Sequence, residues 1–456
     1  MPRETKGHRP SSRSRWVVGF VGAVALVGLA LTTPSAAPPV QEVKVGQVLP
    51  LSGGAATQGM QIRVGAEIAA AEINAEGGIK ALGGAKIKLV FGDSKSTPDG
   101  GMAEAERLIV REQVPVLQGA FQSGVTFPAT EVAERYQTPW LVNVAAKDEI
   151  TIGRNFKYVF RDFKTMKMDV EEVVNAMKHF AEATGKRPKN IGVLCESTDW
   201  GRATAAAAKE LFPKAGYPVV FEESYQPGQT DFTPQILKIK AAKPDMLHVC
   251  HYTPDHILFS KQVMEQKLNI PYGILTYGAG SEDPAFYRAV PAKSVEYMFV
   301  EEDWDVRAVG KAVWYASING KAKEKLGYDM NAYVACGYGS LYLLKDSLER
   351  AAHDGTLKKY RDNIRQALAA TDLTPQTCGR IERSIDGKKY CPALIRGVER
   401  IIFDKHNQNP YAFGSVSQIL NGERLILFAG WKNPPTGAMV PGLKPTWPIP
   451  AWEDRK

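Results

Sequence analysis

The sequence predicts an α/β protein of two lobes, each a mostly parallel sheet flanked by helices, with a ligand cleft at the hinge. Three observations carry that expectation. Strand-like and helix-like segments alternate along most of the chain, the order that builds parallel sheets covered by helices. Together they make too many elements for one comfortable sheet. The first strand also ends in a glycine-rich loop, which is where open α/β sheets bind ligands.

Val43, Val45, Val48 and Leu49 suit a buried strand, which stops at Pro50, Ser52 and the Gly53–Gly54 pair. A helix-period segment runs from Met60 to about Asn74, Gly77 and Gly78 close it, and Ile87–Phe91 opens the next strand. Further strand-like runs fall at 114–119, 140–144, 190–195, 218–222, 246–250 and 272–275. Helical segments separate most of them, at about 124–136, 168–183, 200–215, 233–242 and 256–267. Looser segments near Phe163–Lys164, Glu301–Glu302 and Phe403–Asp404 read as crossovers, the glutamate pair as a solvated one. Residues 41–163 with about 301–402 then form lobe one, and 164–300 with about 403–430 form lobe two. The stretch 431–456, rich in Pro and Trp, reads as a tail extended over the surface.

The N-terminus has the layout of a secretory leader over residues 1–37, cleaved in the expected reading and kept as a membrane anchor in the other. Arg3, Lys6, Arg9, Arg13 and Arg15 form a basic region, Trp16–Leu31 is uncharged and mostly apolar, and Thr33, Ser35, Ala36 and Ala37 are small. No cysteine lies between Trp16 and Val40 to carry a lipid. A freely diffusing periplasmic monomer is the expected product. At 44% hydrophobic and 23% charged residues, the 456-residue chain has enough apolar material for two cores. The formal charge of +8 includes five basic residues and Glu4 of the leader, so the remainder carries about +4. That weak, dispersed charge argues against a nucleic-acid partner.

Of the five cysteines, Cys378 and Cys391 bracket a polar excursion with Asp386–Gly387 as a hairpin turn, and an oxidising compartment would join them. Cys195 and Cys250 each end a strand-like run. They bond if those strands are neighbours, or remain buried thiols. Cys336 falls in a helical segment with no evident partner.

Five blocks, in order from about Val43 to Gly422, carry a family resemblance. They are VKVGQVLPLSG with its helix, GAFQSGVTFPATEVAERYQTPWLV, STDWGRATAAAAKE, DFTPQILKIKAAKPDMLHVCHY, and FDKHNQNP followed by SVSQILNGE. This arrangement resembles periplasmic binding proteins of the branched-chain amino-acid (Leu/Ile/Val-binding) type, which feed ABC importers. The resemblance implies a type I periplasmic binding fold, a small-molecule ligand, an inner-membrane ABC permease as partner, and no cofactor. In its second block, a serine and the adjoining helix N-terminus hold the ligand carboxylate, which carries over to Ser123 and Gly124. Phe121 and Gln122 lie beside them. Trp200 and Tyr252 match the two aromatic positions of lobe two, and Gln58 matches a position lining the side-chain pocket. Val144, Ala145 and Ala146 match a loop offering backbone groups, where Val144 and Ala146 stand in place of the family's alanine and threonine.

A helix N-terminus is a ready anion site, because its free N–H groups and dipole both favour negative charge. Ser123 can serve there as a helix cap, as a ligand donor, or as both. Trp200 and Tyr252 read as covers for a ligand or as ordinary packing between lobes. The amino-acid binders place an acid after a lobe-two strand to pair with the ligand ammonium, whereas GILTYGAG offers Thr276 or Tyr277. An unpaired buried ammonium costs several kcal/mol, so the expected ligand is an aromatic or branched carboxylate, or an amino-acid-like compound. Phe121, Trp200, Tyr252 and Tyr277 would also suit a quaternary ammonium compound. A ligand-sensing domain of a regulator and a periplasmic enzyme are the other readings. The chain lacks a nucleophile-elbow motif, a P-loop and a dinucleotide fingerprint, and the spacing of His248, His251 and His256 argues against a metal site. No catalytic residue is assigned.

Overall fold

Short apolar runs bury both faces of a parallel sheet only when helices cover them, and the chain meets that condition twice. The computed structural model describes residues 41–304, 307, 312–430 and 437–455. The expected leader lies outside these residues, as do 431–436 of the tail. The first sheet is parallel, in the order β2-β1-β3-β4-β5. Its strands are β1 (Glu42–Leu49), β2 (Lys86–Asp93), β3 (Val116–Gly119), β4 (Trp140–Val142) and β5 (Val159–Arg161). Helices α1 (Ala56–Ala75), α2 (Pro98–Val110) and α3 (Ser123–Arg135) connect the first four strands.

After a crossover the chain forms α4 (Met166–Thr184) and a second set of parallel strands. These are β6 (Ile191–Glu196), β7 (Val219–Tyr225), β8 (Met246–Cys250), β9 (Ile274–Tyr277) and β10 (Phe299–Glu302). Helices α5 (Asp199–Lys214), α6 (Thr233–Ala242) and α7 (Thr253–Glu265) join the first four of these. The order β7-β6-β8-β9-β10 repeats that of the first sheet, although no sequence repeat announces it. In each sheet the winding reverses beside the first strand, between β1 and β3 and between β6 and β8. Such switch points leave a crevice at the strand carboxyl ends.

The chain then returns to the first lobe with α8 (Tyr315–Leu326), α9 (Ala332–Arg350) and α10 (Leu357–Ala369). Short pairs follow: β11 (Asp372–Leu373) with β14 (Ile401–Ile402), and β12 (Arg383–Ile385) with β13 (Lys388–Tyr390). The β12–β13 hairpin turns at Asp386–Gly387 inside the Cys378–Cys391 disulfide. The third crossover comes later than the sequence places it. Gln408 still bridges to Arg161, and the Asn409 N–H donates to the Arg161 carbonyl at 2.9 Å, so the chain leaves the first sheet beyond Phe403–Asp404.

Strands β15 (Ser415–Leu420), β16 (Glu423–Ala429) and β17 (Ala438–Met439) extend the second sheet with antiparallel pairing. The tail therefore does more than lie extended on the surface. Trp447 is buried against the rings of Phe180, Phe299 and Tyr272, and the Trp452 indole donates to the Leu268 carbonyl at 2.7 Å. Indole rings dock where apolar area and one acceptor coincide. Cys195 and Cys250 face each other in the β6–β8 register with Cα atoms 4.7 Å apart and are disulfide-bonded. Cys336 is a buried free thiol.

Helices α1 and α9 touch backbone to backbone through two glycines. A Cβ on Gly65 would lie 2.0 Å from the Val334 carbonyl oxygen, and one on Gly337 would lie 2.0 Å from that of Ile62. Helix backbones have no rotamer with which to yield, so Gly65→Ala should destabilise the protein by about 1–3 kcal/mol, the usual cost of overpacking. Urea denaturation checks this. An unchanged midpoint would mean that the helices separate freely.

Candidate functional site

The loops leaving the two switch points face each other between the sheets and enclose a cavity. It is lined from lobe one by Phe121 and Ser123 after β3, Val144–Ala146 after β4, and Tyr333 in the first turn of α9. Lobe two supplies Trp200 after β6, Tyr252 after β8, and Tyr277–Ala279 at the end of β9, while Phe163 and Asp303 come from crossovers. About 370 Å³ lies between these atoms, part of it open to solvent. The space that a water-sized sphere can occupy is about 40 Å³, well below the roughly 300–1,000 Å³ of typical ligand pockets.

Six aromatic residues line it, and five of them touch one another. Trp200 stacks on Tyr277 with centroids 6.0 Å apart and lies 5.1 Å from Tyr252. Phe121 meets Tyr333 edge-on at 5.2 Å and Tyr252 at 6.4 Å. Gly278 has φ +72°, and a Cβ there would sit 2.7 Å from Trp200 Cζ2. Both its backbone and its space therefore require glycine beneath the indole.

One end of the cavity favours anions. Gln122, not Ser123, occupies the cap position of α3, and its side chain makes no capping bond. Ser123 is the first helical residue, with its Oγ accepting the Lys147 N–H at 3.2 Å, so the hydroxyl proton stays available. The first amides of a helix have no acceptor within the helix. Lys147 Nζ pairs with Asp199 at 2.9 Å across the cleft. Behind this wall, buried Arg161 donates to the carbonyls of Ala145 at 3.2 Å and Lys147 at 2.7 Å. The Ala146 carbonyl accepts from the Met166 N–H at 2.9 Å. The carbonyls of Ala145 and Ala146, two of the three residues expected to offer backbone groups to a ligand, are thus already engaged in holding the loop.

Asp303 joins the lining to an acidic cluster. Lys164, on the first crossover, pairs with Asp169 at 2.7 Å, with Asp303 at 3.0 Å, with Glu172 at 3.6 Å and also with Glu301. Gly414, on the third crossover, donates its N–H to Glu172 at 2.9 Å, so all three crossovers meet at this knot. Glu301 and Glu302 are fully buried, which corrects the solvated crossover expected there: Lys164 holds the first, and Arg424 at 3.3 Å pairs with the second. The Tyr277 hydroxyl donates to Asp169, which links the knot to the cavity wall. Burial among other carboxylates pushes Asp169 up to about 7 and raises Glu172 and Glu301, with the Lys164 ammonium opposing. Oxygens of Asp169, Glu301 and Asp303 lie within 4.8 Å of one another, a spacing that could hold a metal ion, but the Lys164 ammonium already sits on all three.

Eight of the eleven binding residues expected from sequence line the cavity: Phe121, Ser123, Val144, Ala145, Ala146, Trp200, Tyr252 and Tyr277. The other three do not. Gln58 is buried in the first turn of α1 and donates to Thr253 Oγ1 across the cleft at 3.3 Å. Gln122 and Gly124 line a neighbouring outer depression with Asp199 and Arg202. Phe163, Gly278, Ala279, Asp303 and Tyr333 were not anticipated. Two of them adjoin crossovers legible in the sequence, which was the signal available, since hinge residues border the cleft. His248, His251 and His256 are buried, and desolvation lowers all three. His251 Nδ1 lies 2.7 Å from the Tyr225 hydroxyl, so this group belongs to the lobe-two core.

Comparison with known proteins places this architecture. A family model described as periplasmic binding protein matches residues 42–391. The chain belongs to the periplasmic binding protein family. Among relatives of this family, the Leu/Ile/Val-binding protein homolog 8 of Brucella suis is 30% identical over 420 residues, covering 91% of this chain and 96% of the relative. Homolog 7 of the same organism is 31% identical over 284 residues, or 61% of this chain and 68% of its own length. Solved structures share the fold. One is the branched-chain amino acid transporter substrate-binding protein LivJ from Streptococcus pneumoniae, in complex with isoleucine, with TM-score 0.66, 20% identity, and coverage of 84% of this chain and 97% of that one. Another is a solute-binding protein of an ABC transporter from R. palustris, in complex with benzoate, with TM-score 0.67, 19% identity, and coverage of 85% and 95%.

Proposed function

We propose that this protein is a periplasmic receptor that captures a small carboxylate with a ring or branched side chain and delivers it to an inner-membrane ABC permease. The observation that carries the reading is a cavity closed by both lobes, with Ser123 at the α3 N-terminus and six aromatic residues in its lining. A carboxylate would accept from the Ser123 hydroxyl and the first amides of α3. The rings would cover the apolar body. Isoleucine and benzoate, the ligands of the two solved relatives, are both carboxylates.

Contacts between lobes at Lys147–Asp199, Gln58–Thr253 and Asn331–Glu282 favour the closed form, and a ligand touching both lobes would add to them. The receptor acts as a monomer after loss of its leader, residues 1–37, and returns its ligand unchanged.

The test is calorimetric titration of the purified protein with branched and aromatic carboxylates and amino acids. Binding should be tight for one class, with the compound recovered intact. Ser123→Ala should weaken it roughly 10- to 100-fold, the worth of a hydrogen bond to a charged group. Equal affinity in the variant would remove Ser123 from the site. Turnover of the compound would replace the receptor reading with an enzymatic one.

A further inference from the structure

A second cavity lies between the lobes at the start of α9, where Tyr333 lines the first cavity and Asn331 and Ala332 line the second. The two have no lining residue in common. About 930 Å³ lies between the atoms of the second, part of it open to solvent, and a water-sized sphere can occupy about 360 Å³ of it. That space falls within the roughly 300–1,000 Å³ of ligand pockets.

We propose that this second cavity is a separate binding site for a planar aromatic anion, held by Arg288 and Arg424 among four aromatic side chains. It stands apart from the site at Ser123 and does not depend on the receptor reading above.

Both lobes build it. Lobe two contributes Tyr287 and Arg288 from the short helix Pro284–Ala289, and Arg424 from β16. Lobe one contributes Tyr315 from α8 and Tyr328 just after it, while Trp304 comes from the second crossover. The Arg288 guanidinium lies over the Tyr328 ring, 5.3 Å from its centre, so this contact joins the lobes. Arg424 lies over Tyr287 at 5.0 Å. Cations already occupy these two ring faces, and a cationic ligand would meet like charge. An aromatic anion instead finds guanidinium planes to stack on, N–H groups for its oxygens, and rings to cover its apolar body.

The charge balance of the lining points the same way. Arg424 pairs with Glu302 at 3.3 Å, and Asp329 pairs with Lys323 at 3.2 Å. Glu282, the other acid in the lining, is buried. Desolvation, with Asp303 nearby, raises its carboxyl well above the ordinary value and favours the neutral form. Arg288 makes no ion pair and donates no hydrogen bond among the described residues, and its ring contact with Tyr328 holds it at the cavity wall. Its charge is therefore the one in the described lining that still lacks a counter-ion.

The experiment titrates naphthalene-2-carboxylate calorimetrically into the purified protein at pH 7, with the neutral 2-naphthamide as the matched control. The acid should bind at least 10-fold more tightly than the amide. Arg288→Ala should weaken that binding 10-fold or more, Arg288→Lys should retain part of it, and Ser123→Ala should leave it unchanged. Melting temperatures show whether each variant is folded, and the comparison of acid with amide stands without the variants. Equal binding of the amide would overturn the anionic class. Binding that is lost in Ser123→Ala and kept in Arg288→Ala would place the probe in the first cavity, overturning the second site while leaving the receptor reading intact. Absence of binding by the acid would also overturn the second site, with the receptor reading still decided by its own titrations.

Discussion

Lys164→Met is expected to destabilise the protein by about 3–5 kcal/mol, the usual consequence of removing one partner from a buried charge set. Methionine fits the same channel but leaves Asp169, Glu172, Glu301 and Asp303 facing one another with no cation between them. The loss should depend on pH, and its sign follows from Asp169. That carboxyl is pushed up to about 7 from an ordinary value of 3.8, so the folded state holds more protons than the unfolded state between those limits. Stability therefore falls as pH rises through that window. Without Lys164 the carboxylates can relieve their repulsion only by taking protons, so the variant should approach the wild type near pH 4 and show its full deficit above pH 7. Urea denaturation at both ends of the range measures this. A deficit of the same size at both would show that packing, not charge, holds the crossovers together.

Trp200→Ala should weaken ligand binding by about 2–3 kcal/mol, roughly 30- to 150-fold. The indole stacks on Tyr277, lies against Tyr252 and roofs Gly278, so its removal opens one wall of the box and admits water. Its position in the first turn of α5 is held by the N–H of Gly201 donating to Glu196 at 2.9 Å, a bond the substitution leaves in place. The fold should survive, and the melting temperature of the ligand-free protein reports that separately from affinity. Trp200→Phe should recover part of the binding. Equal affinities for wild type and Trp200→Ala would place the ligand elsewhere in the cleft.

Much of the fold was legible because its signals are local. The apolar run ending at Pro50 and Gly53, the helix period that follows, and the alternation out to Tyr277 depend only on neighbours in sequence. Ser123, Trp200 and Tyr252 were legible for a related reason: each stands just after a strand, where a parallel sheet presents its ligand loops. The Cys378–Cys391 bridge could be read because the cysteines flank a short turn.

What the sequence could not decide were partnerships between distant segments. Glu301–Glu302 looks like any solvated acidic pair until Lys164, 137 residues earlier, is folded onto it. Gln58 looks like a pocket residue until Thr253 arrives from the other lobe to take its amide. Cys195 and Cys250 could be read as a bridge or as two thiols until β6 and β8 proved to be neighbours. Tyr277 could be placed from one loop, whereas Asp303 reaches the same cavity from the second crossover.

By itself, then, the sequence determined that two parallel sheets with cleft loops would form, because strand and helix periods and turn residues act over a few positions. The tertiary structure decided which charges the cleft holds and which of its loops are already engaged. Electrostatic energy depends on separation through space and on burial, and neither is written in the order of residues along the chain.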